Sequence, residues 1–190
     1  MAAFSLAELV VVVGLVATLS AAAVPATLSG LSELQALGAV RYVFGRLQQA
    51  RLEAIVRGRN TALRFTRGAD GFQYAAYIDG NGDGVRASDI DEHIDTPILW
   101  PERLSERFSR VEFGALAGLP AVDGSAAPGD DPVRLGASDM VSFTPFGTAT
   151  SGSLYILGPG HAQYAIRVFG ETAKVRILRF DVRSGRWLPQ

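Results

Sequence analysis

The sequence predicts an α+β protein in which one long N-terminal helix packs on an antiparallel β-sheet domain. Residues 4–24 form an apolar run whose only charge is Glu8. Apolar residues then recur at helical spacing to about Val56. Beyond Gly58 the period shortens to two, and turn residues punctuate it. A length of 190 residues suits one folded domain with an appendage.

At about 1.5 Å per residue, the run 4–24 matches a hydrocarbon layer of roughly 30 Å, so it reads as a transmembrane segment. Only Met1, Ala2 and Ala3 precede it, without the basic start of a secretory signal. The first basic residue is Arg41, so flanking charge does not orient the span. Leu31, Leu34, Val40, Val43, Phe44, Leu47 and Ile55 continue the period, giving an amphipathic helix over 25–58 with Gly58 as its stop. Pro25 removes a backbone donor, and Gly30, Gly38 and Gly45 each cost about 1 kcal/mol against alanine, so a break or bend is expected.

Residues 59–190 read as one antiparallel sheet. Strands are predicted at 61–66 and 72–78, joined in a hairpin through Gly68, Asp70 and Gly71, then at 96–100, 109–113, 140–144, 153–157, 163–169 and 174–180. The last two form a second hairpin across Gly170–Ala173, and Pro97 weakens the strand at 96–100. Residues 114–139, rich in Gly, Ala, Pro and Asp, read as a long irregular loop.

The chain has no cysteine, which excludes disulfides, zinc–thiolate sites and thiol nucleophiles. A formal net charge of −1 gives no whole-chain pull toward a polyanion. The charge is nevertheless segregated: residues 41–67 hold seven Arg against Glu53, and residues 70–95 hold seven acids against Arg86.

Within the acidic loop at 79–95, "DGNGDG" matches the start of a calcium loop, with Asp79, Asn81 and Asp83 as alternate oxygen donors and Gly84 at the turn. The closing carboxylate falls on Ile90, with Asp89 or Asp91 beside it, so calcium binding and a solvated Asx-rich turn both remain open. Arg176, Arg179, Arg183 and Arg186 near Trp187 are candidates for holding a nucleic-acid backbone, or for strand-surface ion pairs. His93 and His161, the only histidines, fall in different loops, and "SGS" at 151–153 lacks a strand–turn–helix setting, so no enzyme is expected.

A lone carboxylate in an apolar run costs about 2.5–3.5 kcal/mol at membrane depth and asks for a partner. The stretch "AFSLAEL" at 3–9, followed by an apolar helix with Pro25, resembles the N-terminus of type IV pilins and pseudopilins. The resemblance implies cleavage of residues 1–3 by a prepilin peptidase between Ala3 and Phe4, methylation of the new Phe4 amine, and packing of the helix into a filament core. It implies that Glu8 is the assembly carboxylate, neutralising a neighbour's terminal ammonium where low dielectric strengthens the attraction. Ala3 stands where the family usually has Gly, and the leader lacks the family's basic residues. The plainer alternative is a signal anchor whose Glu8 snorkels to the interface.

The remainder resembles the GspH/FimT group of minor pseudopilins and minor pilins, in "ARLEAIVRGRNTALRF" (50–65), "YIDGNGDGVRASDIDE" (77–92), "VSFTPFGTATSGSLYI" (141–156) and "VRILRFDVRSGRW" (175–187). This implies a pilin-like fold and a minor pseudopilin of a type II secretion system. It implies a single-pass inner-membrane protein with its C-terminal domain in the periplasm, partnered by other pseudopilins or pilins. The alternative within the group is a type IV pilus minor pilin that binds DNA during uptake. A membrane-anchored, calcium-dependent adhesin is a third reading.

Overall fold

The computed structural model describes residues 5–190, with the side chains of residues 22–32 excepted. Helix α1 runs as one element over Leu6–Arg57. Ser5, in extended conformation, caps it by accepting from the Ala7 amide at 3.3 Å. Gly58 ends it at φ 64°, where its amide bonds the Ala54 carbonyl. The break expected at Gly38 and Gly45 does not occur. At Gly38 a side chain would meet the Phe108 ring at 3.3 Å, so this glycine admits an aromatic against the helix. Pro25, Gly30 and Leu31 lie among the side chains outside the described ones.

The strands form two sheets where the sequence suggests one. The first has the order β3–β2–β1–β6, from Thr96–Arg103, Gly71–Ile78, Thr61–Gly68 and Met140–Phe143. The second has the order β10–β9–β8–β7–β4, from Arg186–Pro189, Lys174–Asp181, Gln163–Phe169, Gly152–Leu157 and Glu112–Phe113. β5 (Val133–Arg134) also pairs with β7, so the irregular stretch 114–139 holds a short strand. The chain changes sheets after β3, after β5 and after β6, the last time through a turn where Phe143 bridges Ala149. Two short helices, α2 (Ala87–Asp91) and α3 (Leu104–Arg107), flank β3. β3 accommodates Pro97 and Pro101 because it is an edge strand, where an absent amide donor breaks no ladder.

The two sheets meet on one face of α1. That face carries Ala36, Ala39, Val40, Val43, Leu47, Ala50 and Ala54, all buried. Four alanines let strands of both sheets approach closely; a Cβ added at Gly158, after β7, would lie 2.5 Å from the Ala36 methyl. Val40, Val43 and Leu47 lie on the predicted apolar face, whereas Leu34 and Ile55 face outward at 65 % and 49 % exposure. The buried stripe is therefore narrower and smaller-residued than hydropathy alone suggests.

A polar knot fixes the helix against the first sheet. Glu102, near the end of β3, accepts from Tyr42 of α1 at 2.9 Å to each oxygen and from Tyr74 of β2 at 2.6 Å. Arg46 Nε donates to it at 3.3 Å, and Arg46 Nη2 donates to the Tyr42 hydroxyl at 2.6 Å. The guanidiniums of Arg46 and Arg107 lie 4.9 and 4.8 Å from the Tyr42 ring centroid. Burial acts to raise the Glu102 carboxyl, but the Tyr74 and Tyr42 hydrogen bonds and the Arg46 charge outweigh it and hold it below the ordinary range. Burial first, and then Glu102, push the Tyr74 phenol far above its usual value.

Because the folded pKa of Glu102 is depressed, its contribution is complete above the unfolded value of about 4.3 and is lost as pH falls through the lower folded value. Glu102→Ala removes the acceptor of the Tyr42 and Tyr74 hydroxyls and the carboxylate beside Arg46, and should cost about 2–4 kcal/mol in urea unfolding at neutral pH. Tyr42→Phe, which keeps the ring beside the two arginines, should cost about 1 kcal/mol. The gap between wild type and Glu102→Ala should narrow only below about pH 4.

Candidate functional site

Most of the described surface is ordinary, but the first half of α1 is not. Leu6, Leu9, Val10, Val11, Val12, Val13, Leu15, Val16 and Leu19 are all more than half exposed. Five of them are consecutive, so the apolar surface runs right round the helix rather than along one stripe. A helix apolar on all sides belongs in lipid or inside a bundle. Covering these side chains is worth on the order of 10 kcal/mol. Thr18, the one hydroxyl well inside this stretch, donates back to the Leu15 carbonyl at 2.8 Å, hiding its polar group within the helix.

Glu8 stands in the first turn of this helix, exposed, where the N-terminal end of the dipole favours a carboxylate. It makes no ion pair among the described residues. Ala3 and Phe4, the positions where cleavage and methylation are expected, lie outside the described residues, as does the Pro25 side chain. Among the described residues no helix is long and apolar enough to cross a membrane. The described part of the run, 5–21, is by itself short of the roughly 20 residues a span needs.

The acidic loop is folded on its own amides. Asp79 is buried, and its oxygens accept from the amides of Gly82 at 2.6 Å and Gly84 at 2.9 Å and from Asn60 Nδ2 at 3.2 Å. Burial acts to raise the Asp79 carboxyl, but these hydrogen bonds outweigh it and hold it below the ordinary range. Asp95, also buried, accepts from the amides of Gly80 and Arg86, both at 2.9 Å. Asn81 turns to Asp89 at 3.1 Å, and Asp83 pairs with Arg86 at 2.7 Å. Each of Asp79, Asn81 and Asp83 thus has a hydrogen-bond or ion-pair partner within the loop or beside it, and no group of three or more His, Cys, Asp or Glu side chains that could hold a metal ion is found among the described residues. Gly80 is required by space: a Cβ there would fall 2.0 Å from the Ile94 carbonyl oxygen.

The C-terminal arginines are neighbours in sequence more than in space. Alternation along β9 puts Arg176 on the face away from α1, opposite Arg167 of β8 and over the Phe169 ring. Arg179 is on the other face, paired with Glu33 of α1 at 2.8 Å. Arg183 lies in the turn after β9, and Arg186 is in register with Asp181. Trp187 packs on Phe180 and Tyr155 and donates to the Pro120 carbonyl, so its face is not offered for base stacking.

A helix docked by its second half and bare over an apolar first half, carrying an antiparallel sheet domain at its end, defines a pilin-like subunit. The family model of the type II transport protein GspH matches residues 39–172, and the chain belongs to that family. Among solved structures it is similar to the minor pseudopilin EpsH from the type 2 secretion system of Vibrio cholerae. The two are 15 % identical over 76 % of this chain and 97 % of that one, with a TM-score of 0.46. Among curated proteins none matches.

Asp79→Ala frees the Gly82 and Gly84 amides in a buried turn and should lower unfolding free energy by about 2–3 kcal/mol. Ser105→Ala, at an exposed position of α3, should change it by less than about 0.5 kcal/mol in the same urea titration.

Proposed function

We propose that this chain is a minor pseudopilin, a structural subunit of a type II secretion pseudopilus that supports protein export and catalyses no reaction. The all-round apolar exposure of α1 before the docked half is the observation that carries the reading. A surface of that kind has two stable environments, lipid and a bundle of like helices, and a filament subunit uses both in turn. Residues 4–24 anchor the chain in the inner membrane with the sheet domain in the periplasm. After removal of residues 1–3 by prepilin peptidase, Phe4 presents its amine. Glu8 then neutralises a neighbour's amine and fixes the axial register of the filament. Other pseudopilins cover the helix, and the sheet domain selects them. The acidic loop acts as a folded turn rather than a cofactor site.

Three measurements test this. Intact-mass analysis of the full chain expressed with and without prepilin peptidase should show a chain beginning at Phe4 only with the enzyme. Glu8→Gln should then abolish assembly into filaments while leaving the chain in the membrane fraction; retention of Met1–Ala3 under both conditions contradicts the proposal. Calcium added to the purified chain should leave Tm unchanged, and a rise would assign the acidic loop a ligand role.

A further inference from the structure

A cavity of about 660 Å³ lies at the end of the domain where α1 enters it. It is bounded by Glu33 of α1, by Arg110 ahead of β4, by the turn holding His161 between β7 and β8, and by Arg179, Asp181 and Arg183 where β9 ends. Its position is fixed by the Arg179–Glu33 ion pair and by the contact of Gly158 with Ala36. The acids are already engaged. Glu33 pairs with Arg179, and Asp181 accepts from Ser184 Oγ at 2.7 Å and from the Arg183 amide at 3.2 Å. The guanidiniums of Arg110 and Arg183 enter no ion pair among the described residues. Arg110 and His161 hold φ values of 58° and 62°, the left-handed region that non-glycine residues rarely adopt. Strain of this kind, here at two rim residues of one cavity, is characteristic of functional sites.

Helical rise sets where this cavity sits relative to a bilayer. If the apolar run ends at Val24, Glu33 follows nine residues later, about 14 Å along the axis. The headgroup layer occupies roughly 5–7 Å of that distance. The groove then opens within about a Debye length of the phosphates, and the ordinary tilt of a spanning helix brings it nearer. We propose that this groove is a binding site for the phosphate of anionic phospholipid headgroups, holding the domain against the membrane before the subunit leaves it. The inference rests on the anchoring reading given above. Leaving the bilayer empties the groove, so release of headgroups accompanies entry into the filament.

The absence of cysteine allows a clean test on the full chain. Val182→Cys, exposed at the groove rim, and Thr172→Cys, exposed in the β8–β9 turn at the other end of β9, each take a fluorophore. The labelled chains are reconstituted into vesicles of phosphatidylcholine, or of phosphatidylcholine and phosphatidylglycerol in equal parts, with a headgroup-attached quencher. Quenching at position 182 should increase with phosphatidylglycerol and reverse with salt, while position 172 stays unchanged. Arg110→Gln and Arg183→Gln should each reduce the docked fraction relative to the undocked by about fivefold. Equal quenching in both lipids, or no effect of either substitution in chains that still float with the vesicles, overturns the headgroup site and leaves the anchoring reading intact. Inorganic phosphate at millimolar concentration abolishing the difference would reassign the groove to a free anion. Failure of the chain to float overturns both readings together.

Discussion

The close seating of α1 on two sheets at once is the constraint from which the rest of the domain follows. A helix lined with Leu would hold strands at ordinary interaxial distance and could satisfy one sheet. The stripe Ala36, Ala39, Ala50 and Ala54, with Val40, Val43 and Leu47 between, lets β1 and β6 on one side and β7, β8 and β9 on the other reach the same face. Gly158 and Gly38 extend this logic, since each stands where a side chain would push a neighbour away. Small residues also give little lateral grip, and the Glu102 knot supplies it. Its hydrogen bonds join α1, β2 and β3 at one half-buried carboxylate, so the helix cannot rotate on its alanines without breaking charge-assisted bonds.

How much of this was legible in the sequence varied with the range of the interaction. The β1–β2 hairpin and the β8–β9 hairpin were readable because each joins adjacent stretches by a short turn. The division into two sheets was not, because it depends on Thr61 pairing with Phe143 across some eighty residues of chain. β5 and β10 were missed for a related reason: each is short and is defined only by its partner strand. Gly58 was readable as a stop because a left-handed C-cap leaves a local signature, whereas Gly38 misled, since its reason is the distant Phe108 ring. Glu102 carried no local signal at all. Two tyrosines at 42 and 74, an arginine at 46 and a glutamate at 102 have no spacing that points to one site.

The same distinction governs the candidate site. Glu8 is conspicuous in sequence because its surroundings are uniformly apolar, and in the described helix it stands exposed in the first turn. The arginine set at 176–186 is conspicuous for its spacing in sequence. Strand alternation and the pairing of Arg179 with Glu33 distribute it over two faces and a turn. The acidic loop lies between these cases. Its Asx-rich composition correctly marks a tight turn, but Asp79 and Asp95 direct their oxygens at backbone amides inside the turn, where composition alone cannot place them.

The two halves of α1 therefore answer to different thermodynamics, although they are one helix. The half from Ala36 to Ala54 is buried against the sheets and contributes to domain stability whatever surrounds the molecule. The described half from Leu6 to Leu19 is exposed throughout, so its environment can change without altering any contact that holds the domain together. In the proposed role, moving that half from lipid to a helical bundle exchanges one apolar solvent for another, and the hydrophobic term largely cancels between them. What remains is specific: the fit of side chains and the state of the carboxylate at Glu8. A single charge near the end of an otherwise featureless apolar helix can bias such a near-balanced transfer, because all the larger contributions are the same on both sides.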